Sequence, residues 1–326
     1  MPLARAAAAA GHVVAFTGRG SAVDPEFDFA FFPTGAERPP RRIPMRELDP
    51  EREQREFRAF AGRPARERAD EVRALCAEWR PDVVVCDETD FGALLVAEGL
   101  ELPYASVFTT APGFIPSELR TALRAPLVLS PFPPSLRDPG PAHCFRTAAG
   151  ARCDGARTVY FTLGTVFNLE SGDLFARVLA GLRELDVDVV ATVGRQIDPE
   201  ELGPQPERIR VERYLPHSDV LPRCAAVVSH GGSGTVLGAL AHGLPSVLLP
   251  MGADQPWNAA RCEELGVAVV LDAMRATPAD VREAVSTVLG DPSCRVAAER
   301  VRDEIRTLPS PEHAVRLLER LVEPDG

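Results

Sequence analysis

The chain has 326 residues, more than one ordinary core organises and enough for two domains. Its 45% hydrophobic and 25% charged residues are those of a globule folded in water. A net charge of -11 argues against nucleic acid and anionic membrane surfaces as partners, and no apolar run is long enough to span a bilayer.

From the N-terminus, Pro2 to Ala10 reads as the end of a helix stopped by Gly11, and His12 to Phe16 as a strand. The alanine run Ala6–Ala10 lacks the bulky apolar residues and the length of a secretory signal. Arg46 to Arg80 is charged and helix-periodic, with a break at Pro64. Asp82–Cys86 is a buried-type strand, Phe91–Glu98 a helix and Pro103–Phe108 a further strand. Pro126 to Gly155 breaks the alternation, holding Pro131, Pro133, Pro134, Pro139 and Pro141 besides Pro126, and reads as a linker. From Arg157 the alternation resumes, with strands at 158–163, 187–193, 209–214, 225–229, 246–249 and 267–271. Helices at 278–289, 293–307 and 311–322 close the chain. The pattern predicts an α/β protein with domains over 1–125 and 157–326 joined by 126–156, each a doubly wound parallel sheet.

Seven cysteines lie scattered, Cys153 among them, with no Cys-x-x-Cys pair. That offers neither a zinc site nor a redox motif and fits reduced thiols in a cytoplasm. Asp186-Val187-Asp188 matches the Asp-x-Asp string that holds a divalent cation on a diphosphate, but it leads into a strand and reads as solvated.

The densest signal is His230-Gly231-Gly232-Ser233-Gly234-Thr235, directly after the apolar run Ala225–Ser229 and before a helical stretch. A glycine turn between strand and helix leaves backbone N–H groups and a helix dipole for phosphate. After the next strand comes Asp254-Gln255, an acid–amide pair suited to a polyol. A phosphate cradle and a polyol reader on successive crossovers of one sheet describe a nucleotide-sugar site. Thr165, His230 and Asp254 each follow the carboxyl end of a strand, where open parallel sheets bind ligands.

At these residues, and at Tyr160-Phe161-Thr162-Leu163-Gly164-Thr165 upstream, the chain resembles the family 1 glycosyltransferases of the GT-B fold, especially bacterial members acting on lipophilic natural products. The resemblance implies two Rossmann-like domains facing across a cleft: an acceptor-binding one over 1–125 and a donor-binding one over 157–326. It places Thr165 and His230 on the diphosphate, where a protonated imidazole would offset charge building on the leaving group, with Gly232, Ser233, Gly234 and Thr235 forming the phosphate loop. It places Tyr214 on the base, unless that ring simply covers the core, and Leu215 and His217 at base and ribose. Asp254 and Gln255 fall on the sugar hydroxyls, Asp254 having a helix N-cap as its plain alternative, and Asn258 is placed within reach of the donor. The implied partners are a dTDP- or UDP-sugar and a small lipophilic acceptor; no metal or cofactor is implied, the nucleotide sugar being a co-substrate. Inversion by single displacement is the implied mechanism.

Departures from the family pattern are informative. Gly238 stands where many relatives carry a glutamate that grips the ribose diol, which tilts the expectation toward dTDP. The family's base is a histidine in a Gly-His-x-x-Pro loop ahead of a Leu-Pro-Leu-Ala helix; by the match this chain begins inside that helix at Met1-Pro2-Leu3-Ala4, so the base is absent and weak catalysis is expected. Asp87 matches the aspartate that orients the base, and is otherwise a capping or loop acid. His12 follows Gly11 at the start of a strand and reads as structural. The stretch from Phe114 to Leu127 is shorter than the usual acceptor lid; Phe108, Phe114, Ile115 and Leu119 line a pocket or form plain core. A donor-binding auxiliary protein, partnering an active transferase or its own copy, is the alternative reading; a nucleotide-sugar epimerase lacks its expected carboxylates.

Overall fold

Apolar runs with no alternation demand cover on both faces, and the C-terminal half supplies it. The computed structural model describes residues 1–18, 28–35, 41–111, 113–117, 119, 125–147, 150, 157–165 and 167–323. Its largest sheet contains β7 (Thr158–Thr162), β8 (Asp188–Thr192), β9 (Ile209–Glu212), β10 (Cys224–Ser229), β11 (Ser246–Leu248) and β12 (Ala268–Val270). They run parallel in the order β12-β11-β10-β7-β8-β9. Successive residues of β7 face opposite ways. Val159 and Phe161 join Val189, Val228 and Val247 in one core, while Tyr160 joins Val227, Leu221 and Leu244 in another. Winding proceeds outward from β7 through β8 and β9, then restarts at β10 on its other side. The switch point therefore lies between β7 and β10.

The N-terminal half holds a second parallel sheet, β3 (Val84–Asp87), β4 (Tyr104–Val107), β5 (Leu127–Ser130) and β6 (His143–Cys144), in sequential order. A separate parallel pair, β1 (Ala15–Gly18) and β2 (Ala30–Pro33), lies near it. The helices here are α1 (Pro2–Ala9), α2 (Pro50–Phe60), α3 (Arg63–Trp79) and α4 (Phe91–Gly99). Asp49 caps α2 and Asp90 caps α4 through their carboxylates. The break in the charged region falls at Ala61-Gly62 rather than at Pro64, which sits in the first turn of α3 where a missing N–H costs nothing.

Two expected boundaries are corrected. Residues 126–156 are not a free linker: β5 and β6 complete the N-terminal sheet, and Phe132 and Leu136 are buried against Val236, Leu240, Val301 and Ile305 of the other half. The prolines interrupt secondary structure but not packing, and Arg261 donates to the Ser135 carbonyl at 2.6 and 2.8 Å. Residues 151–156, including Cys153, lie outside the described residues. The chain continues through α5 (Leu174–Leu182), α6 (His217–Val220), α7 (Ser233–Ala241), α8 (Gln255–Glu264), α9 (Pro278–Gly290), α10 (Pro292–Thr307) and α11 (Pro311–Val322). The last returns to the N-terminal half, where Ala314 and Leu318 pack on Ala105, Leu127, Leu129 and Phe145. A sequence window cannot show this, because the apolar stripe of α11 is equally suited to either sheet.

Candidate functional site

The switch point is built by close approach. Gly164, just after β7, has φ +73°, and a Cβ there would lie 2.6 Å from Nε2 of His230, which follows β10. Gly232 crowds the same edge of the ring, with a built Cβ 2.5 Å from Nε2. The imidazole is thus clasped by two close-approaching glycines at the adjacent carboxyl ends of β7 and β10. It is 8% exposed, its Nδ1 has no hydrogen-bond partner, and burial, with the charge of nearby His217, pushes its pKa down to about 4. Without a ligand His230 is therefore neutral at pH 7.

Gly231 turns the chain at φ +83°, and α7 then starts at Ser233 with Gly232 as an N-cap that has no side chain to satisfy the first N–H groups. Ser233 and Thr235 are buried and Gly234 is exposed. Thr165 is exposed at the facing strand end. Across this opening, α8 begins at Gln255 after Asp254. Asp254 occupies the N-cap position of α8 but makes no capping bond with its side chain. Instead its Oδ2 accepts from Ser233 Oγ at 2.6 Å, Ala111 N–H at 3.0 Å and Asn258 Nδ2 at 3.1 Å. Burial raises its carboxyl pKa, opposed by those donors. The Gln255 oxygen accepts from the N–H groups of Met251 at 2.8 Å and Gly252 at 3.3 Å, so that end of the amide already has its partners.

Every expected site residue except Asn258 borders one cavity. Asn258 is corrected. Its side chain is fully buried, and its Nδ2 donates to Gly231 O at 3.0 Å and Ser233 Oγ at 2.9 Å. One helical turn after Asp254, it faces back beneath the glycine loop and braces it from behind. Tyr214, also bordering the cavity, is 37% exposed, with the Arg195 guanidinium 4.1 Å from its ring centroid. It does not cover the core. Leu215 is half-buried, and His217 stacks edge-on to Tyr160 at 5.8 Å. Burial, then His242, holds the His217 pKa below the usual range.

Toward the N-terminal half, Asp87 ends β3 and borders the cavity; its Oδ1 accepts from Thr89 N–H at 2.8 Å and Thr89 Oγ1 at 2.6 Å. His12 pairs with Glu319 at 3.0 Å, tying the chain ahead of β1 to α11, in keeping with a structural role. Phe114 and Ile115 are core, packed with Phe57 and Phe91, and Leu119 packs partly buried against them; Phe108 borders the cavity. Residues 120–124 of the shortened lid lie outside the described residues. Asp186 is exposed and paired with Arg157, as its solvated reading implies. No group of three His, Cys, Asp or Glu suited to a metal ion occurs among the described residues, nor any helix long and apolar enough to cross a membrane.

Comparison with known proteins decides the family. Residues 176–321 match the profile of the erythromycin biosynthesis protein CIII-like C-terminal domain. The chain is 31% identical to a 4'-demethylrebeccamycin synthase of Lentzea aerocolonigenes, over 82% of this chain and 80% of that one. The chain belongs to the family 1 glycosyltransferases of the GT-B fold. A 3-alpha-mycarosylerythronolide B desosaminyl transferase of Saccharopolyspora erythraea is 29% identical over 76% of this chain and 70% of its own length. The glycosyltransferase SnogD of Streptomyces nogalater superposes with a TM-score of 0.75 at 27% identity, covering 99% of this chain and 94% of that one. The last two are named as transferases and the first as a synthase, and an auxiliary role finds no support among them.

Sequence reasoning on this glycosyltransferase missed the groups that reach the acid–amide loop from the N-terminal half. Glu53 of α2 accepts from Ala253 N–H at 2.9 Å. Glu88 and Arg137 form a buried bidentate pair at 2.8 and 2.9 Å. Arg137 also lies 3.5 Å over the Phe108 ring. Burial would raise the Glu88 carboxyl, but Arg137 and the N–H groups of Thr109 and Thr110 outweigh it and hold it below the usual range. A charged residue flanked by Asp87 and Thr89, and an arginine inside a proline-rich run, carry no pattern that foretells their meeting.

Proposed function

We propose that this glycosyltransferase moves a hexose or deoxyhexose from a dTDP- or UDP-sugar to a hydroxyl of a small lipophilic acceptor, with inversion and without a metal or other cofactor. The observation that carries the proposal is the shared cavity. The glycine loop beside His230 and the Asp254-Gln255 loop open into it from successive crossovers, and Tyr214 and Leu215 border it as well. In this reading the diphosphate rests on the N–H groups at the start of α7, with Thr165 donating from the facing strand. The neutral His230 donates a hydrogen bond, gaining positive charge only as phosphate charge approaches. Sugar hydroxyls meet Asp254 and Gln255, and the base meets Tyr214 and Leu215, with His217 behind the ribose. The acceptor enters from the side of Asp87 and Phe108. Asp87 orients the group that takes the acceptor proton. The relatives' names, a rebeccamycin synthase and an erythronolide desosaminyl transferase, support a small acceptor from an antibiotic pathway.

The dTDP preference rests on Gly238. A Cβ there would meet Leu221 Cδ1 at 3.0 Å and His217 Nδ1 at 3.4 Å, so a carboxylate-bearing side chain has little room. Without that acceptor the 2′-hydroxyl of UDP gains no partner. Calorimetry with dTDP and UDP, each with and without EDTA, tests both points. The expected result is binding unaffected by EDTA, with dTDP at least as tight as UDP. Loss of binding in EDTA would overturn metal independence. A preference for UDP of about tenfold, about 1.4 kcal/mol, would overturn the reading of Gly238.

A further inference from the structure

The loop that carries Asp254 is held on both sides by the other half of the molecule. On one side Glu53 accepts from the N–H of Ala253, which has a left-handed backbone at φ +50°. Glu53 is largely buried, with 14% of its side chain exposed. On the other side the N–H of Ala111 donates to Asp254 Oδ2 at 3.0 Å. Ala111 is fully buried and ends a short loop that begins at Phe108. That loop is fixed by one carboxylate: Glu88 Oε1 accepts from Thr109 N–H at 2.9 Å, Thr110 N–H at 2.8 Å and Thr110 Oγ1 at 2.8 Å. Glu88 is in turn locked by Arg137, which also donates to the Thr110 carbonyl. Side-chain exposures of 2% for Arg137 and 7% for Glu88 mark the pair as fully desolvated.

A buried ion pair is a poor source of stability, since desolvation offsets much of its attraction. It is a good way to fix direction, because a bidentate guanidinium–carboxylate contact sets two planes at once. Here the direction passes through three consecutive residues to one N–H, and that N–H meets the carboxylate facing the sugar position.

We propose that Glu53 and the Glu88–Arg137 pair are positioning residues for the donor sugar. Through the N–H groups of Ala253 and Ala111 they set the Asp254 carboxylate, so the acceptor-side half takes part in reading the donor. The inference rests on the assignment of Asp254 to the sugar hydroxyls. Free nucleoside diphosphate, which does not reach Asp254, is bound independently of the clamp. The nucleotide sugar is bound only as well as the clamp is formed. Donor-sugar recognition is therefore coupled to the seating of the two halves on each other.

The test is calorimetric titration of dTDP and dTDP-glucose into the full chain carrying Glu53→Ala, or Glu88→Met together with Arg137→Met. The double change leaves no unpaired buried charge and keeps the volume filled. Glu53→Ala removes one largely buried carboxylate and touches none of the apolar core clusters. Each is repeated in an Asp254→Ala background. The expected result is about a tenfold loss of dTDP-glucose affinity in each variant, with dTDP affinity within about twofold of the parent. In the Asp254→Ala background neither change adds to the loss, because the carboxylate they position is gone. Equal weakening of dTDP and dTDP-glucose would overturn the proposal in favour of a purely structural role. So would an unreduced loss on the Asp254→Ala background. If Asp254→Ala itself fails to separate the two ligands, the assignment of the sugar site fails and the inference with it. If Asp254→Ala separates them and the clamp variants do not, the inference alone fails.

Discussion

The imidazole of His230 is held neutral by burial and by its neighbour His217, with a pKa near 4. An unfolded histidine titrates near about 6.5. Between those values the unfolded chain binds the extra proton, so the contribution of His230 to stability is intact above about pH 6.5 and is lost as pH falls toward 4. The depressed Glu88 carboxyl acts in the same direction at lower pH: its contribution is present above the unfolded carboxylate range and is lost as pH falls below it. In the proposed site a bound diphosphate would reverse the preference of His230 by rewarding the protonated ring. Melting temperature is therefore expected to fall from pH 7 to pH 5, with a shallower fall when a nucleotide sugar is present. Scanning calorimetry across that range checks both slopes; parallel slopes with and without ligand would remove His230 from the diphosphate. Gly164 gives a companion experiment. Gly164→Ala adds a Cβ 2.6 Å from Nε2 of His230 at φ +73°. It is expected to displace the ring, weaken dTDP binding at least about tenfold and cost about 1–3 kcal/mol in urea unfolding. Normal dTDP affinity in this variant would contradict the clasp.

Elements with a strong local signal were legible. The strand–glycine–helix passage from Ala225 to Ala241 appears as β10 and α7 because a fully apolar run, a glycine turn and a helical run each leave few alternatives. The final helices were legible as helices, and the structure shows the prolines that open them and side-chain caps from Thr277 and Asp291 on two of them, the second starting one residue before the expected 293. What escaped was destination. The proline-rich stretch 126–156 looked like a connection because proline breaks periodicity, yet it contributes β5 and β6 and buries Phe132 and Leu136 against the other half. Asn258 looked like a ligand because it follows Asp254, and its helical phase turns it under the loop instead. The destination of α11 is open to a simple test. Leu318→Ala empties a site among Leu127, Leu129 and Phe145 of the N-terminal half. It is expected to cost about 2–4 kcal/mol. Hydrogen exchange should rise in β4 and β5 before it rises in β7 and β10. Faster exchange in β7 and β10 alone would contradict the crossing of α11.

At the scale of the whole molecule, two parallel-sheet halves share contacts that sequence cannot pair, such as Ala111 with Asp254 and Glu53 with Ala253. Each of the two bonds joins segments far apart in the chain, and their existence depends on how the halves sit. The larger sheet has its reversal of strand order between β7 and β10, and the clasped histidine and glycine loop stand there. The central claim is that this switch point holds the diphosphate of the donor. A crystal structure of the protein with dTDP tests it most directly. Diphosphate density is expected within hydrogen-bond reach of the N–H groups of Ser233, Gly234 and Thr235 and of the His230 ring, with the base beside Tyr214. Density for dTDP elsewhere, with the start of α7 left to solvent, would contradict it.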